Sequence, residues 1–274
     1  MQNSDGFAFE LPRPGKALIG LMVVITALWL MFAIGLNWGG ASPTLFLALA
    51  GDTGAILHGE VWRLLTAPLL HTPTGGGGVG HLLSVLLGLY FLAPRLEAQW
   101  GSVRTLRFIA LTSTFAYVLQ MLIELALPGR LSARVVADHW YGLAPAVAAI
   151  AIAWACTFKG QVVRLFMVLP VSSRTLILMV IGFGFLRLAA AQVPEEGLIA
   201  PFGGMFFGWL LGGGTPSPLR KAWLELRLGQ LEREEKRQGG RKKPRPNPGG
   251  LRVLPGGRAD DDDDDKGPDG RWLN

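Results

Sequence analysis

The sequence predicts an all-α, polytopic membrane protein whose core is a bundle of six transmembrane helices. Three observations carry that expectation. Half of the 274 residues are hydrophobic and only 17% are charged, against roughly 25% charged in an average soluble domain. The apolar residues gather into runs long enough to be buried in lipid. The Lys and Arg residues between those runs alternate along the chain between many and few, which is how membrane orientation is written in sequence.

A bilayer core of about 30 Å takes roughly 20 apolar residues as a helix, and fewer where neighbouring helices shelter the segment. Residues 17–36 meet that length. Asp5, Glu10, Arg13 and Lys16 precede this run and no small-residue cleavage site follows it, so it reads as a retained signal anchor. Residues 37–80 are too polar and too rich in Gly and Pro to span, and form a long membrane-associated loop; within it, 45–50 and 64–70 predict short interfacial helices. The second span is read at 81–93, the third at 106–126, the fourth at 141–158, the fifth at 175–191 and the sixth at 199–211.

The charges orient these spans. Arg13 and Lys16 precede the first; Arg95, Arg104 and Arg107 lie between the second and third; Lys159, Arg164 and Arg174 lie between the fourth and fifth. The opposite side holds Arg63 in the long loop, Arg130 and Arg134 before the fourth span, and only acidic Glu195 and Glu196 before the sixth. Because Lys and Arg stay on the cytoplasmic side, both termini are expected in the cytoplasm and the long loop outside, with the plasma membrane as the expected location. The domain plan is a cytoplasmic N-terminus at 1–16, a membrane domain at 17–213, an amphipathic interfacial helix within 214–238, and a charged tail at 239–274 that is disordered by composition.

From Gly212 onward lie 14 of the 26 basic and 11 of the 20 acidic residues. Leu219, Ala222, Trp223, Leu226 and Leu231 recur at helical spacing in the interfacial segment. The aspartate run at 260–265 lacks the glycine and spaced ligands of a calcium loop and reads as a solvated charge cluster. Single Cys156 excludes an internal disulfide, and no CxxC or Cys/His metal spacing occurs. Neither a cofactor nor a metal is implied, no nucleic-acid-binding module is visible, and the basic balance points to membrane lipid as the partner. A transporter or channel is disfavoured because no span carries a central charge and no inverted repeat is visible. Glu124 and Arg187, near span ends, are expected to pair with one another or to snorkel.

Small residues mark two spans. The fourth has Gly142, Ala144, Ala146, Ala148, Ala149, Ala151 and Ala153; the sixth has Gly204 and Gly208, continued at the same spacing to Gly212. Such patterns let backbones approach closely, so a tight pairing of these two helices is expected.

The stretch 59–102 is the most specific. It contains Glu60-x-Trp62-Arg63-Leu64-Leu65-Thr66, then Leu70-His71, then His81-Leu82-Leu83, then Leu96-Glu97-x-x-x-Gly101-Ser102. In this order the motifs resemble the rhomboid superfamily, over residues 16–213, with Gly75 to Gly78 lengthening the gap between the two histidines. The resemblance implies a six-helix fold in which a serine opening the fourth helix, within G-x-S-G, is activated by a histidine opening the sixth. Here that first position is Ala144, within Gly142-Leu143-Ala144-Pro145; the histidine position falls on Pro201; and the oxyanion-side asparagine falls on Val85. His81 is retained, and Trp62, Arg63, Glu97, Gly142, Gly204 and Gly208 occupy positions that brace the fold.

The resemblance therefore implies a pseudoprotease that binds transmembrane client helices between the second, fifth and sixth helices without cleaving them. An alanine cannot attack and a proline cannot accept a proton. The alternative is an active intramembrane serine endopeptidase with a displaced nucleophile, for which Ser84, three residues from His81, is the first candidate. Ser172 and Ser173 lie across the membrane, and His139 is the other histidine near the fourth helix.

Overall fold

The computed structural model describes residues 12–75, 77–127, 138–165, 169–189 and 195–238. The tail at 239–274, with its aspartate run, lies outside the described residues, as do Arg130 and Arg134. The chain falls into two compact units, residues 1–224 and 225–274.

Helix α1 (Lys16–Asn37) buries only Leu18, Ile25 and Phe32. That seven-residue spacing draws one narrow stripe along the helix, so α1 packs on the bundle through a single seam and leaves the rest of its apolar surface outward. The loop that follows folds into α2 (Thr44–Leu49), α3 (Thr53–Leu57), α4 (Arg63–Thr66) and a 3₁₀ turn (Ala67–Leu69). The two short helices expected there are present. Five-residue α3 was not expected: it gives no periodic signal and is held by Asp52, whose carboxylate accepts from Ala55 N at 2.7 Å.

Arg63 organises this loop. Its guanidinium is buried, bonds Glu60 through Nε at 2.7 Å, and donates to the carbonyls of Leu47 and of Ala50 (2.7 Å) at the end of α2. Those carbonyls lack partners within their own helix. Trp62 Nε1 adds a bond to Ala48 O at 3.3 Å.

Helix α5 (Gly78–Trp100) runs well past the expected 81–93. Arg95 and Glu97 end the apolar run, not the helix. Buried Glu97 is the reason the chain can afford a carboxylate there: it accepts from Gly15 N at 2.7 Å and from Ser102 Oγ at 2.7 Å, so it joins the starts of α1 and α6 (Ser102–Ala126) to the end of α5. Glu97→Ala is expected to lower the unfolding free energy by about 3 kcal/mol, from two charge-assisted bonds lost together, read by thermal unfolding in detergent micelles.

Helix α7 (Ala144–Thr157) lies at the centre, packed by α5, α6, α8 (Ser173–Ala189) and α9 (Ala200–Gly212). Between α7 and α8, β1 (Val162–Leu165) and β2 (Leu169–Ser172) pair antiparallel with Val162 opposite Ser172 and Leu165 opposite Leu169. This short hairpin is an addition to a chain that is otherwise helical, in keeping with the all-α expectation. Helix α10 (Pro218–Gln238) follows, where helical spacing predicted it.

Among the described residues three helices, α1, α5 and α6, are long and apolar enough to cross a membrane. Helices α7 and α9, of 14 and 13 residues, are apolar but shorter, at 1.5 Å per residue only about 20 Å long. Their pairing is as tight as their small residues predict. A Cβ added at Gly204 would lie 2.0 Å from Pro145 O, and one at Gly208 would lie 2.5 Å from Ala149 Cα. One at Gly212 would meet Ala153 Cβ at 2.8 Å, so the contacts advance together and the two helices run parallel.

The expected pairing of Glu124 with Arg187 is not formed. Glu124 accepts from Thr53 Oγ1 and from Gln120 Nε2 (2.7 Å), whereas Arg187 faces Glu196. Each charge found a partner on an element that periodicity could not place.

Candidate functional site

A cleft of about 1150 Å³ opens between α5, α7, α8 and α9. Leu92, Val147, Leu176, Val180, Phe202 and Met205 form much of its apolar wall. Ala144, Pro201, Val85 and His81, read from four separate places in the sequence, all line it, and so does Ser84. The fold thus brings together the positions singled out for chemistry, with a methyl group, a pyrrolidine ring and an isopropyl group at three of them.

The polar end of the cleft is built on Gly142. Its φ of +116° places it in the region that favours glycine, and an added Cβ would lie 2.8 Å from His81 Cε1 and 3.1 Å from Glu196 Cγ. Gly142 N donates to Ala67 O at 3.0 Å, and its carbonyl accepts from Tyr117 Oη at 2.6 Å. Tyr117 stacks on Trp140, ring centroids 4.5 Å apart. Trp140 in turn exchanges backbone bonds with Gly51, where a side chain would collide with the indole at 2.0 Å. The entry to α7 is therefore clamped from α6 and from the long loop at once.

Against this turn lies the closest ionic arrangement of the cleft. His81 Nε2 donates to Glu196 Oε1 at 3.0 Å, and Arg187 NH2 stands 3.7 Å from Glu196 Oε2. Glu196 is only 1% exposed. Burial by itself would raise its pKa, but the hydrogen bond and attraction of His81, with the Arg187 guanidinium, hold the carboxyl below its ordinary value. His71 packs on His81 with ring centroids 5.0 Å apart. Burial, and next the neighbouring His81, push its pKa down to about 4, so this imidazole is neutral at pH 7.

The segment carrying Glu196 is fixed from two sides. Tyr141 N donates to Glu195 O at 2.8 Å. Gln120, fully buried in α6, accepts from Ile199 N at 2.8 Å and from Ala200 N at 3.0 Å, which supplies the first turn of α9 with an acceptor. Gly197, at φ +78°, presses so closely on Gln120 that a Cβ there would lie 2.7 Å from its amide carbon.

The other candidates are placed apart from any such chemistry. Ser84 Oγ donates to the backbone carbonyl of His81 at 2.8 Å, while the imidazole Nε2 is taken by Glu196. His139 Nδ1 faces Asp52 at 3.9 Å. Glu196 and Gln120 were not singled out by sequence reasoning as site residues. Glu196 registered only as a loop charge, and Gln120 only as part of a third span, since nothing in a single helix shows which partner lies across from it.

A bundle of apolar helices around a cleft that meets a polar end is an architecture of integral membrane proteins. The chain belongs to the rhomboid family: the family's Rhomboid domain matches residues 58–216, from the loop before Trp62 to beyond Gly212. It is also similar to RHOMBOID-like protein 1 of Arabidopsis thaliana, 42% identical over 67 residues, a match that takes in 24% of this chain and 16% of that protein.

Proposed function

We propose that this rhomboid-family protein is a pseudoprotease: it holds transmembrane client helices in the cleft and does not cut them. The observation that carries this reading is the convergence of Ala144, Pro201 and Val85, from three helices, on one cleft, where a nucleophile, its base and an oxyanion donor would stand. None of the three side chains has a hydroxyl, a titratable nitrogen or a donor. The cleft's volume and apolar lining suit an apolar helix rather than a polar solute. The displaced-nucleophile alternative loses ground because Ser84 spends its hydroxyl on a carbonyl.

In this reading the membrane domain extends over 17–213 with six crossings, the short α7 and α9 being sheltered by the others. Both termini lie in the cytoplasm, α10 follows the inner surface, and the plasma membrane is the location. The alternating Lys and Arg content of the connections supports that orientation.

The test uses purified full-length chain and a model transmembrane peptide. A photoreactive side chain at Met205 should crosslink the peptide, Val147→Trp should abolish the crosslink by filling the cleft, and the peptide should remain uncut. Ala144→Ser should leave it uncut as well, because Pro201 provides no base. Release of a new peptide N-terminus by the unaltered chain, or labelling of Ser84 by a fluorophosphonate, would overturn the proposal.

A further inference from the structure

Buried polar atoms without partners are normally rare and scattered. Here they cluster. Among the described residues nine buried side-chain nitrogen or oxygen atoms lack a hydrogen-bond partner, and four of them, both ring nitrogens of His71, Nδ1 of His81 and Oε2 of Glu196, belong to the one group at the polar end of the cleft. Arg187 stands beyond hydrogen-bond distance from that last oxygen, at 3.7 Å.

The geometry points to a binding site for a divalent transition-metal cation formed by His81, Glu195 and Glu196, with His71 packed against the His81 ring. One ligand atom from each of His81, Glu195 and Glu196 lies within 4.8 Å of the other two. Ligands at 2.0–2.2 Å around a tetrahedral ion lie about 3.4 Å apart. The His81 Nε2 to Glu196 Oε1 distance of 3.0 Å is already close to that, and half-buried Glu195 has only to swing by about 1 Å. An imidazole with two carboxylates suits zinc, iron or manganese rather than a thiolate-seeking ion.

The group is also prepared for a cation in charge and in rigidity. Glu195 and Glu196 supply two negative charges against the one positive charge of the Arg187 guanidinium 3.7 Å from Glu196 Oε2, so the cluster is net negative and attracts a cation. The segment carrying them is pinned through the Glu195 carbonyl and through Gln120, and His81 is seated against Gly142, where no larger residue fits. On binding, the ion takes the place of the hydrogen between Nε2 and Oε1, and His81 passes to the tautomer that carries its hydrogen on Nδ1. His71 is 1% exposed and packs on the His81 ring, with centroids 5.0 Å apart, which holds the His81 imidazole in place. This inference is independent of whether the cleft holds client helices.

The experiment uses full-length chain, purified in detergent through a tag without histidines, stripped with a chelator and titrated with zinc against a chromophoric competitor. One zinc per chain is expected, with a rise in melting temperature on binding. His81→Ala and Glu196→Gln should each weaken binding by about 100-fold and Glu195→Gln by about 10-fold. The last is the deciding variant should either of the first two fail to fold, because Glu195 is only half-buried. A full chain with the aspartates at 260–265 changed to asparagine should bind zinc unchanged. Binding that disappears in that variant, that is equal in Glu195→Gln and the unaltered chain, or that never exceeds a small fraction of one ion per chain would overturn the site and leave water as the occupant of the cluster.

Discussion

Gly204→Ala should destabilise the protein by about 3 kcal/mol or more, although it adds a single methyl group and raises intrinsic helix propensity. The new Cβ would stand 2.0 Å from the carbonyl oxygen of Pro145. The obstacle is backbone, so no side chain can rotate aside, and α9 must move away from α7 along its length. Gly20→Ala in α1 is the matching control: nothing lies within 4 Å of its added Cβ, and the helix should gain up to about 1 kcal/mol from propensity alone. Unfolding in mixed micelles, followed by circular dichroism, should separate the two variants by several kcal/mol, and similar midpoints for both would show that α7 and α9 are not in backbone contact.

The second large effect is expected at Gln120. Gln120→Leu keeps the side chain's bulk and removes an amide that accepts from Ile199 N and Ala200 N while donating to Glu124 at 2.7 Å. One buried and one partly buried N–H group and one carboxylate oxygen lose their partner, each at about 1–3 kcal/mol, so a loss of about 4 kcal/mol is expected. Exchanging the pair, Gln120→Glu together with Glu124→Gln, preserves an acceptor toward α9 and a donor between the two positions. It should recover much of the stability that either single change removes. A double variant no more stable than the singles would mean that the side chains do not work as a connected set.

Much of the bundle was legible because its signals are one-dimensional. Residues 17–36 and 106–126 are apolar runs of membrane length, and the four-residue spacing of Gly204, Gly208 and Gly212 reads directly as a helix surface without side chains. The end of α5 was not legible, since hydropathy stops at Arg95 whereas the helix is continued by the bonds that Glu97 makes to Gly15 and Ser102. Within the cleft, His81 and the positions of Ala144, Pro201 and Val85 followed from motif order. The partner of His81 did not: Glu196 lies 115 residues away, and only the fold carries it to the imidazole. Buried polar pairs are invisible to periodicity because each member looks, in its own segment, like an ordinary surface charge.

The parallel seam of α7 and α9 leaves one question that its own residues do not answer. Gly204, Gly208 and Gly212 repeat every four residues, and so do Pro145, Ala149 and Ala153 opposite them. A screw displacement of α9 by four residues, about 6 Å along the axis, would again set small residues against small residues, so this seam works like a rack with identical teeth. What selects the tooth is the amide of Gln120 at the first turn of α9, a stop that only one setting of the helix can reach. Fit and position are thus encoded separately: smooth packing comes from repeated methyls and hydrogens, and the address comes from a single buried amide.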